Sequence, residues 1–423
     1  MKIAILGSGA REHALAWRIL SDLSEGYVTV IPGNDGMSFN ERIRCVSWDG
    51  EIESLLESLK NLEIEFVIIG PEDLLSRGVA DSIRAIGIDV LGPSKVASMI
   101  ESSKEFSKEF MHEYNIPTAN FHIIKDYFKG IELIDSWKES SAPVVKASGL
   151  AKGKGVFVCE SRDEAKESLY NLMRNDHYFL RENTILIEER LVGREVSAFA
   201  LFDGKSYKTI GNCFDYKRRD EGDLGPNTGG MGAICSDSLI SEEIQLEINE
   251  KVFDRFLEGM KKRGIEYKGV LFAGIILTDQ GVKVIEFNAR FGDPETQALM
   301  PCLKGNLLEN LHLCSRGEMS SASGLVIEGS CVHTVVASGG YPFTEGEKAQ
   351  FNCQIPICNL LGRNSIFYAG VKFEDFSLVN TGGRVLGISS FGDDLETARS
   401  EAYLSIPLVT FKGSQWREDI GLS

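Results

Sequence analysis

The stretch Ile3-Ala4-Ile5-Leu6-Gly7-Ser8-Gly9-Ala10-Arg11-Glu12-His13 runs from an apolar segment into a glycine loop. Ile3–Leu6 has the composition of a buried strand, and apolar residues then recur at helical spacing from Arg11 to Leu20. Three similar apolar segments follow, each ended by glycine or proline: Tyr27–Ile31, Glu65–Ile69 and Ile88–Leu91. Strands that alternate with helices predict a doubly wound α/β domain around a parallel sheet.

The carboxyl ends of these strands carry Gly9, Asn34 and Glu72. Ligands of open parallel sheets bind beyond such ends, and the N–H groups of a glycine loop at a helix start suit an anion. A dinucleotide fingerprint needs a small residue where Glu12 stands, and we expect Glu12 to hinder helix–sheet packing and repel a pyrophosphate. We therefore predict a substrate with one phosphate rather than NAD, with a tight turn that binds nothing as the alternative.

Composition and charge limit the class of protein. A chain of 423 residues is long enough for several domains, and its net charge of −17 argues against a nucleic-acid partner. The nine cysteines are odd in number and form no Cys-x-x-Cys, so we expect reduced, mostly buried thiols in a cytoplasmic protein. The sequence contains no run of 18 apolar residues, which predicts no membrane partner.

A second glycine loop, Lys146-Ala147-Ser148-Gly149-Leu150-Ala151-Lys152-Gly153-Lys154-Gly155, lies between two strand-like segments, Pro143–Ala147 and Gly155–Cys159. It departs from a Walker loop because three residues, not four, separate Gly149 from Gly153, and because Gly155 follows Lys154. Glycines and lysines between strands favour a mobile lid over nucleotide phosphates. A solvated basic hairpin is the alternative.

The segment Val284-Ile285-Glu286-Phe287-Asn288-Ala289-Arg290 ends a predicted hairpin. Residues i and i+2 of a strand share a face, so Glu286 and Asn288 should point one way while Ile285 and Phe287 face a core. Two oxygen ligands suit Mg²⁺, which completes its shell with phosphate oxygens and water. A half-exposed strand with incidental polar residues is the alternative.

Two further segments supply candidate ligands. Arg290, just beyond that strand, could stabilise charge on a transferring phosphoryl group. Upstream, Asp215-Tyr216-Lys217-Arg218 precedes Gly225-Pro226-Asn227-Thr228-Gly229-Gly230-Met231-Gly232. Glycine and proline bring the backbone close to a ligand, and we expect N–H groups of this loop to be free to bind a carboxylate. A flexible surface loop is the alternative.

The rest of the pattern predicts mixed structure without internal repeats. The expected elements are a helix over 95–114, a helix over Arg162–Met173, and strands over Ile185–Glu189, Glu195–Phe202, Val270–Leu277 and Val282–Phe287. The last hundred residues should contain several short strands.

Taken together, these segments resemble the phosphoribosylamine–glycine ligase (glycinamide ribonucleotide synthetase) family of the ATP-grasp superfamily. The resemblance extends from Ile3 to about Ile420 and is most specific at Gly225–Gly232 and Ile285–Gln297. It implies an α/β and α+β multidomain protein. The implied parts are a pre-ATP-grasp substrate domain at 1–101, an ATP-grasp domain at 102–322 with a lid at about 121–192, and a mixed α/β domain at 323–423.

The resemblance also implies an activity: ATP-dependent ligation of glycine to 5-phosphoribosylamine through glycyl phosphate in de novo purine biosynthesis. The cofactor would be Mg²⁺ or Mn²⁺, and the protein a monomer or homodimer. Three alternatives remain open. They are another ATP-grasp carboxylate–amine ligase of purine metabolism that uses formate or bicarbonate, a dinucleotide-dependent oxidoreductase, and a non-catalytic nucleotide sensor.

The residues that match the family's functional positions divide by implied role. Those implied for the nucleotide are Lys104, Lys146, Gly153, Lys154, Gly155, Glu188, Glu189, Leu191 and Glu195. Those implied for the cation are Glu286 and Asn288. Those implied for the chemistry at glycine and the acyl phosphate are Asp215, Lys217, Arg290 and Asp293. Those implied for the substrates are Gly9, Arg11, Asn34, Glu72, Asn227, Thr228, Gly230, Gly383 and Arg384.

Four positions depart from the family pattern. Ser102 and Ala10 stand where glycine is common, Ser148 stands where the family has Asp, and Tyr216 stands where it has His. Because Ser148 removes a carboxylate beside the lid, we expect the lid's affinity or pH response to differ.

Overall fold

The computed structural model describes residues 1–138, 142–149, 155–175, 182–343, 348–360 and 362–422. The first hundred residues form a parallel sheet with the strand order β3-β2-β1-β4-β5. Its strands are β1 Ile3–Gly7, β2 Val28–Pro32, β3 Ile43–Cys45, β4 Phe66–Ile69 and β5 Asp89–Leu91. The sequence predicted all of these except β3, whose three residues are too few to show a pattern.

Helices cover both faces of this sheet. They are α1 Ala10–Leu20, α2 Ile52–Asn61, α3 Glu72–Ser76 and α4 Val79–Ala85. Ile3 and Ile5 of β1 share one core with α1, whereas Ala4 and Leu6 share the opposite core with α2 and α4. The doubly wound prediction is confirmed, and β1 pairs with both β2 and β4 at the point where the strand order reverses.

The helix predicted over 95–114 is wrong in detail because it divides at Ser103. The structure has α5 Met99–Ser102 and α6 Lys104–Glu113. Ser103 is extended, and its hydroxyl accepts a hydrogen bond from the Phe106 N–H at 3.2 Å. A serine that caps a helix favours a new start over continuation, which the periodicity alone did not reveal.

An antiparallel sheet with the order β6-β9-β7-β8 follows. Its elements are β6 Phe121–Ile124, α7 Tyr127–Asp135, β7 Val144–Ala147, β8 Val156–Val158, α8 Arg162–Met173 and β9 Ile185–Glu188. The two helices pack together on one face of the sheet around a separate core. The lysine loop therefore joins two paired strands, as predicted, although its residues 150–154 lie outside the described ranges.

A single eight-stranded sheet joins the central and C-terminal regions, with the order β16-β15-β10-β11-β14-β19-β23-β20. Its strands are β10 Arg194–Asp203, β11 Tyr207–Asp215, β14 Gly232–Ser236, β15 Lys268–Thr278, β16 Gly281–Asn288, β19 Ser330–Ala337, β20 Asn364–Tyr368 and β23 Arg384–Gly392. The sheet crosses the boundary predicted between 322 and 323, and the division into 102–322 and 323–423 stays a prediction.

Short strand pairs and helices complete the fold. The pairs are β12 Arg218–Asp220 with β13 Leu224–Asn227, β17 Leu303–Lys304 with β18 Val326–Ile327, and β21 Val371–Glu374 with β22 Ser377–Asn380. The helices are α9 Glu242–Ile248, α10 Asp254–Lys262, α11 Glu295–Cys302, α12 Leu307–Arg316 and α13 Leu395–Ser405. All nine cysteines are free thiols and six of them are buried, as the sequence predicted. Over the described ranges, each helix is too short or too polar to span a bilayer.

Candidate active site

Glu12 occupies the space beneath the first glycine loop. Its carboxylate accepts hydrogen bonds from the Gly9 N–H at 2.7 Å and from Arg11 Nε at 2.6 Å. A Cβ added to Gly7 or Gly70 would lie within 2.6 Å of a Glu12 side-chain atom. The expectation that Glu12 hinders helix–sheet packing is therefore wrong, because these glycines make room for it. Because the Gly9 N–H already has an anionic partner within the chain, it is occupied toward any phosphate, whether of a dinucleotide or of a substrate with one phosphate.

The second strand of the predicted hairpin contains a bulge that the sequence did not show. Gly274 pairs with Glu286 but the next residue, Ile275, pairs with Val284, so Ile285 is the extra residue. Val284 is buried and Ile285 is only partly buried, so the prediction that Ile285 faces the core is wrong. Beyond the bulge the register is regular, and Glu286 and Asn288 share one face as predicted.

Arg290 joins this strand to the N-terminal domain. Its Nε lies 2.9 Å from Glu72 Oε2 and its Nη2 lies 2.9 Å from Glu101 Oε1. Glu101 also accepts a hydrogen bond from the Ala289 N–H at 2.8 Å. Burial raises the pKa of Glu101, although the Arg290 guanidinium opposes that shift. Glu72 thus pairs with Arg290, and Glu101 is a site residue that the sequence reading missed.

Two lysines lie beside acidic groups in this region. Lys104 begins α6 and donates to the Gly149 carbonyl at 3.2 Å, which ties α6 to the start of the lysine loop. Loss of solvent lowers the pKa of Lys104, and the charge of Glu286 opposes this effect. Lys146 on β7 donates to Glu188 Oε2 at 2.8 Å. Lys104 therefore lies within electrostatic range of both Glu286 and Lys146.

The predicted adenine hinge follows β9. The Glu189 carboxylate accepts from the Asn120 N–H and side-chain amide, both at 3.0 Å, so this side chain holds β6 beside the hinge. Glu188 is 1% exposed and Leu191 is partly buried. Gly155 directly precedes β8. Gly153 and Lys154, which the resemblance also placed at the nucleotide, lie outside the described residues.

A compact charge cluster follows β11. The ammonium group of Lys217 lies 2.9 Å from Asp215 Oδ2 and 2.7 Å from Glu195 Oε2. Loss of solvent lowers the pKa of Lys217, but the two carboxylates outweigh this effect and raise the pKa well above its usual value. The Lys217 ammonium in turn lowers the pKa of Glu195. Lys217 thus stays protonated and Glu195 stays ionised at neutral pH.

The glycine-rich loop after β13 folds back on itself and uses its own N–H groups. The Thr228 N–H donates to the Lys217 carbonyl at 2.8 Å, the Gly229 N–H to the Tyr341 hydroxyl at 2.9 Å, and the Gly230 N–H to the Thr228 hydroxyl at 2.9 Å. The expectation that these N–H groups are free for a carboxylate is therefore wrong. Within the described part of the chain, the Asn227 side chain makes no hydrogen bond.

Arg384 fastens that loop to the segment after Arg290. Its Nη1 donates to the carbonyls of Gly229 and Asp293, and its Nη2 lies 3.3 Å from Asp293 Oδ2. Burial raises the pKa of Asp293, but Arg384 and Arg11 outweigh this effect and lower the pKa overall. Gly230 has a φ of +106°, and a Cβ there would lie 2.3 Å from Pro294 Cδ. Glycine is therefore required at this close approach.

Hydrogen bonds and close packing fix the positions of three further residues predicted to bind substrate. Asn34 donates to the carbonyls of Ser8 at 2.8 Å and Tyr368 at 3.0 Å. Arg11 is 5% exposed and donates to the Phe291 carbonyl at 3.2 Å. A Cβ at Gly383 would lie 2.3 Å from the Tyr341 ring. These residues converge where the N-terminal and C-terminal parts meet, and their roles toward a substrate stay predictions.

Two of the positions that depart from the family pattern have structural partners. The Ser148 hydroxyl accepts from the Glu105 N–H at 3.2 Å at the start of α6. The Tyr216 hydroxyl accepts from the Gly421 N–H at 3.0 Å. Ser148 thus contacts the start of α6, and Tyr216 holds Gly421 beside the segment that follows β11.

Glu295 leads to a pH prediction. This side chain is 4% exposed and accepts from the Ser197 hydroxyl at 3.1 Å. Burial and the nearby Asp215 carboxylate raise the pKa of Glu295 from 4.5 to about 7. Because the folded pKa exceeds the unfolded one, this group should lower stability as pH rises through that interval, by up to ~3 kcal/mol.

Replacing Glu295 by glutamine keeps the acceptor for Ser197 and removes the titration. Chemical denaturation should show Glu295→Gln gaining stability over wild type between pH 5 and pH 8. The exposed Glu328 provides the control, since Glu328→Gln should show no such gain. A stability difference between Glu295→Gln and wild type that stays constant across this range would contradict the raised pKa of Glu295.

Residues 1–101, 102–296 and 331–423 match the N domain, the ATP-grasp (A) domain and the C domain of phosphoribosylglycinamide synthetase. A phosphoribosylamine–glycine ligase from Caldanaerobacter subterraneus is 39% identical over 422 residues, covering 99% of each chain. This chain belongs to the phosphoribosylglycinamide synthetase family. A phosphoribosylamine–glycine ligase from Chlorobaculum tepidum is 36% identical over 426 residues, and the match covers all of this chain and 99% of that protein.

Other members of the synthetase family are longer. The trifunctional purine biosynthetic protein adenosine-3 of Gallus gallus is 39% identical over 423 residues, and the chain spans 42% of its length. Among solved structures, phosphoribosylamine–glycine ligase from Thermotoga maritima has a TM-score of 0.85 and 32% identity, covering 99% of this chain and all of the other. A biotin carboxylase from Campylobacter jejuni, with a TM-score of 0.73 and 13% identity, shares the fold alone.

Proposed function

We propose that this chain ligates glycine to 5-phosphoribosylamine at the expense of ATP, giving glycinamide ribonucleotide, ADP and phosphate in purine biosynthesis. Relatives named phosphoribosylamine–glycine ligase match it over nearly their whole length. The observation that carries the proposal is a group of neighbouring charges: Lys104 interacts with Glu286 and Lys146, and Lys146 interacts with Glu195 of the Asp215–Lys217–Glu195 cluster. Charges of both signs next to a lysine loop suit a phosphoryl transfer from nucleotide to carboxylate.

The residues present fit a divalent cation that also binds substrate. Within the described ranges, no three His, Cys, Asp or Glu side chains gather as a complete metal site. Glu286 and Asn288 offer two oxygens on one strand face, and the Glu286 carboxylate has no hydrogen bond or ion pair to any described residue. Mg²⁺ is commonly held by one or two protein oxygens plus phosphates and water. A cation bound by Glu286 and Asn288 would neutralise charge on the nucleotide phosphates. We propose that this cation is Mg²⁺ or Mn²⁺.

The chain's own residues then act mainly by positioning and charge. Lys104 and Lys146 would bind phosphate oxygens, and Arg290, fixed by Glu72 and Glu101, would stabilise charge on the transferring group. The glycine carboxylate attacks the γ-phosphorus and ADP leaves. The amine of phosphoribosylamine then attacks the acyl carbon and phosphate leaves. The reaction needs no nucleophilic side chain, and a lid that excludes water would protect the acyl phosphate from hydrolysis.

The finer assignments belong to the same proposal. Asp215, Lys217, Asn227, Thr228, Gly230 and Asp293 would bind glycine and its acyl phosphate. Gly9, Arg11, Asn34, Glu72, Gly383 and Arg384 would bind phosphoribosylamine. Lys217 is the group in this region best suited to a carboxylate, because it stays protonated between two acids. A cytoplasmic location and a monomeric or homodimeric state remain predictions.

A coupled ADP-release assay with freshly made phosphoribosylamine tests the proposal. We expect ADP release to require MgATP, glycine and phosphoribosylamine together, and glycinamide ribonucleotide to form in equal amount. Formate and bicarbonate in place of glycine separate this activity from other ATP-grasp ligases. ADP release with either of those acids but not with glycine would contradict the proposal, and so would nucleotide binding without turnover.

A further inference from the structure

A buried ion cluster at the nucleotide end of the site contains a residue that the mechanism above does not use. Glu188 Oε2 lies 2.8 Å from Lys146 Nζ and 3.2 Å from Lys108 Nζ. The exposed fractions of these residues are 1% for Glu188, 2% for Lys108 and 6% for Lys146. Two cations therefore share one carboxylate oxygen in a site almost without solvent.

The two lysines come from different parts of the fold. Lys146 and Glu188 lie on the paired strands β7 and β9, so they belong to the four-stranded sheet. Lys108 lies on α6 and donates to the Thr118 hydroxyl at 2.7 Å. Thr118 in turn donates to the Val284 carbonyl at 2.6 Å, on the strand that carries Glu286. Lys108 is thus anchored to the eight-stranded sheet, independently of the lysine loop.

The second carboxylate oxygen of Glu188 has a different environment. Glu188 Oε1 is buried and receives no hydrogen bond from the described residues. It lies at the end of β9, where the chain turns into the predicted adenine hinge. An ionised carboxylate can only accept hydrogen bonds, so this oxygen would favour an amino group and reject a carbonyl oxygen. A protonated carboxyl group could donate to a carbonyl and would lose this discrimination.

We propose that Lys108 is a positioning residue that sets nucleotide specificity, by keeping Glu188 ionised when Lys146 contacts the nucleotide phosphates. The inference rests on the proposed use of ATP. Lys146 cannot fully compensate Glu188 while it also binds phosphate oxygens, and a buried carboxylate without a cation tends to take up a proton. Lys108, held by Thr118, remains beside Glu188 in either case. The site then selects a 6-aminopurine over a 6-oxopurine.

The charges around Lys108 are consistent with this role. Burial lowers the pKa of Lys108 to about 8, while the Glu188 carboxylate opposes the shift. Burial likewise raises the pKa of Glu188, but Lys146 and Lys108 outweigh it and lower the pKa overall. The carboxylate therefore depends on both cations, and the removal of one has a measurable consequence.

Equilibrium binding of ATP and inosine triphosphate, which differ at the 6-position of the base, tests the proposal without turnover. In the Lys108→Met variant the ratio of the two affinities should fall by about tenfold, the scale of one charge-assisted hydrogen bond. Lys108→Arg keeps the charge and should retain most of the preference. An unchanged ratio in Lys108→Met, with both nucleotides weakened equally, would overturn the proposal.

A second variant covers the case in which Lys108→Met does not fold. Thr118→Val leaves the cation in the chain and removes its anchor, so the same ratio should fall to an intermediate value. A ratio equal to that of wild type in Thr118→Val would also count against the proposal. The binding experiment and the ADP-release assay test different claims. If the wild-type chain prefers ATP over inosine triphosphate but releases no ADP with glycine and phosphoribosylamine, only the proposed ligation is contradicted.

Discussion

Replacing Glu286 by alanine should reduce kcat for ADP release by about 100- to 1000-fold at ordinary Mg²⁺ concentrations. The carboxylate shares a strand face with Asn288 and contributes charge beside Lys104. It has no hydrogen bond or ion pair to any residue that the structure describes, so its loss leaves no protein group unpaired. The thermal midpoint of Glu286→Ala should therefore remain close to that of wild type.

The exposed Glu266, which pairs with Lys268 at 3.0 Å, provides a matched control. Glu266→Ala removes the same group and should leave kcat unchanged. Higher Mg²⁺ or Mn²⁺ should restore part of the activity of Glu286→Ala, because a weakened cation site fills at higher concentration. Wild-type turnover in Glu286→Ala would remove this residue from the mechanism.

Replacing Arg290 by methionine should both abolish ligation and destabilise the fold, by about 3–5 kcal/mol. The guanidinium pairs with Glu72 and Glu101, whose side chains are 19% and 7% exposed, and its loss removes this cation from the buried Glu101 carboxylate. Burial already raises the pKa of Glu101, and removing Arg290 should raise that pKa further. The destabilisation should therefore grow as pH rises above the unfolded pKa of glutamate and shrink in acid.

The double variant Glu101→Gln/Arg290→Met separates charge from packing. If uncompensated charge causes the loss, denaturation should show the double variant to be more stable than Arg290→Met alone. The double variant should still be inactive, because Arg290 is proposed to act on the phosphoryl group. Additive losses of stability from the two substitutions would contradict the paired-charge explanation.

Features set by local sequence could be predicted. The N-terminal sheet followed from apolar runs ended by glycine and proline, and the shared face of Glu286 and Asn288 followed from the two-residue period of a strand. The bulge at Ile285 could not be predicted, because it depends on the register with β15. The break at Ser103 had a local signal, a serine before a helix start, that the periodicity of 95–114 obscured.

The sequence did not reveal residues whose contacts join segments that are far apart along the chain. Glu101 is 189 positions from Arg290 along the chain, and Tyr341 holds Gly229 across 112 positions. The glycine-rich loop was predicted to offer free N–H groups because its composition does not reveal which acceptors surround it. Lys108 had no motif of its own, and its ion pair with Glu188 joins two elements that are distant in the sequence, α6 and β9.

A crystal of the chain grown with Mn²⁺ and a non-hydrolysable ATP analogue would test the central claim most directly. We expect the anomalous manganese signal beside Glu286 and Asn288, with the analogue's phosphates between that strand and the lysines at 104 and 146. Manganese and phosphates bound elsewhere, with the Glu286 carboxylate contacting neither, would contradict this account of the site.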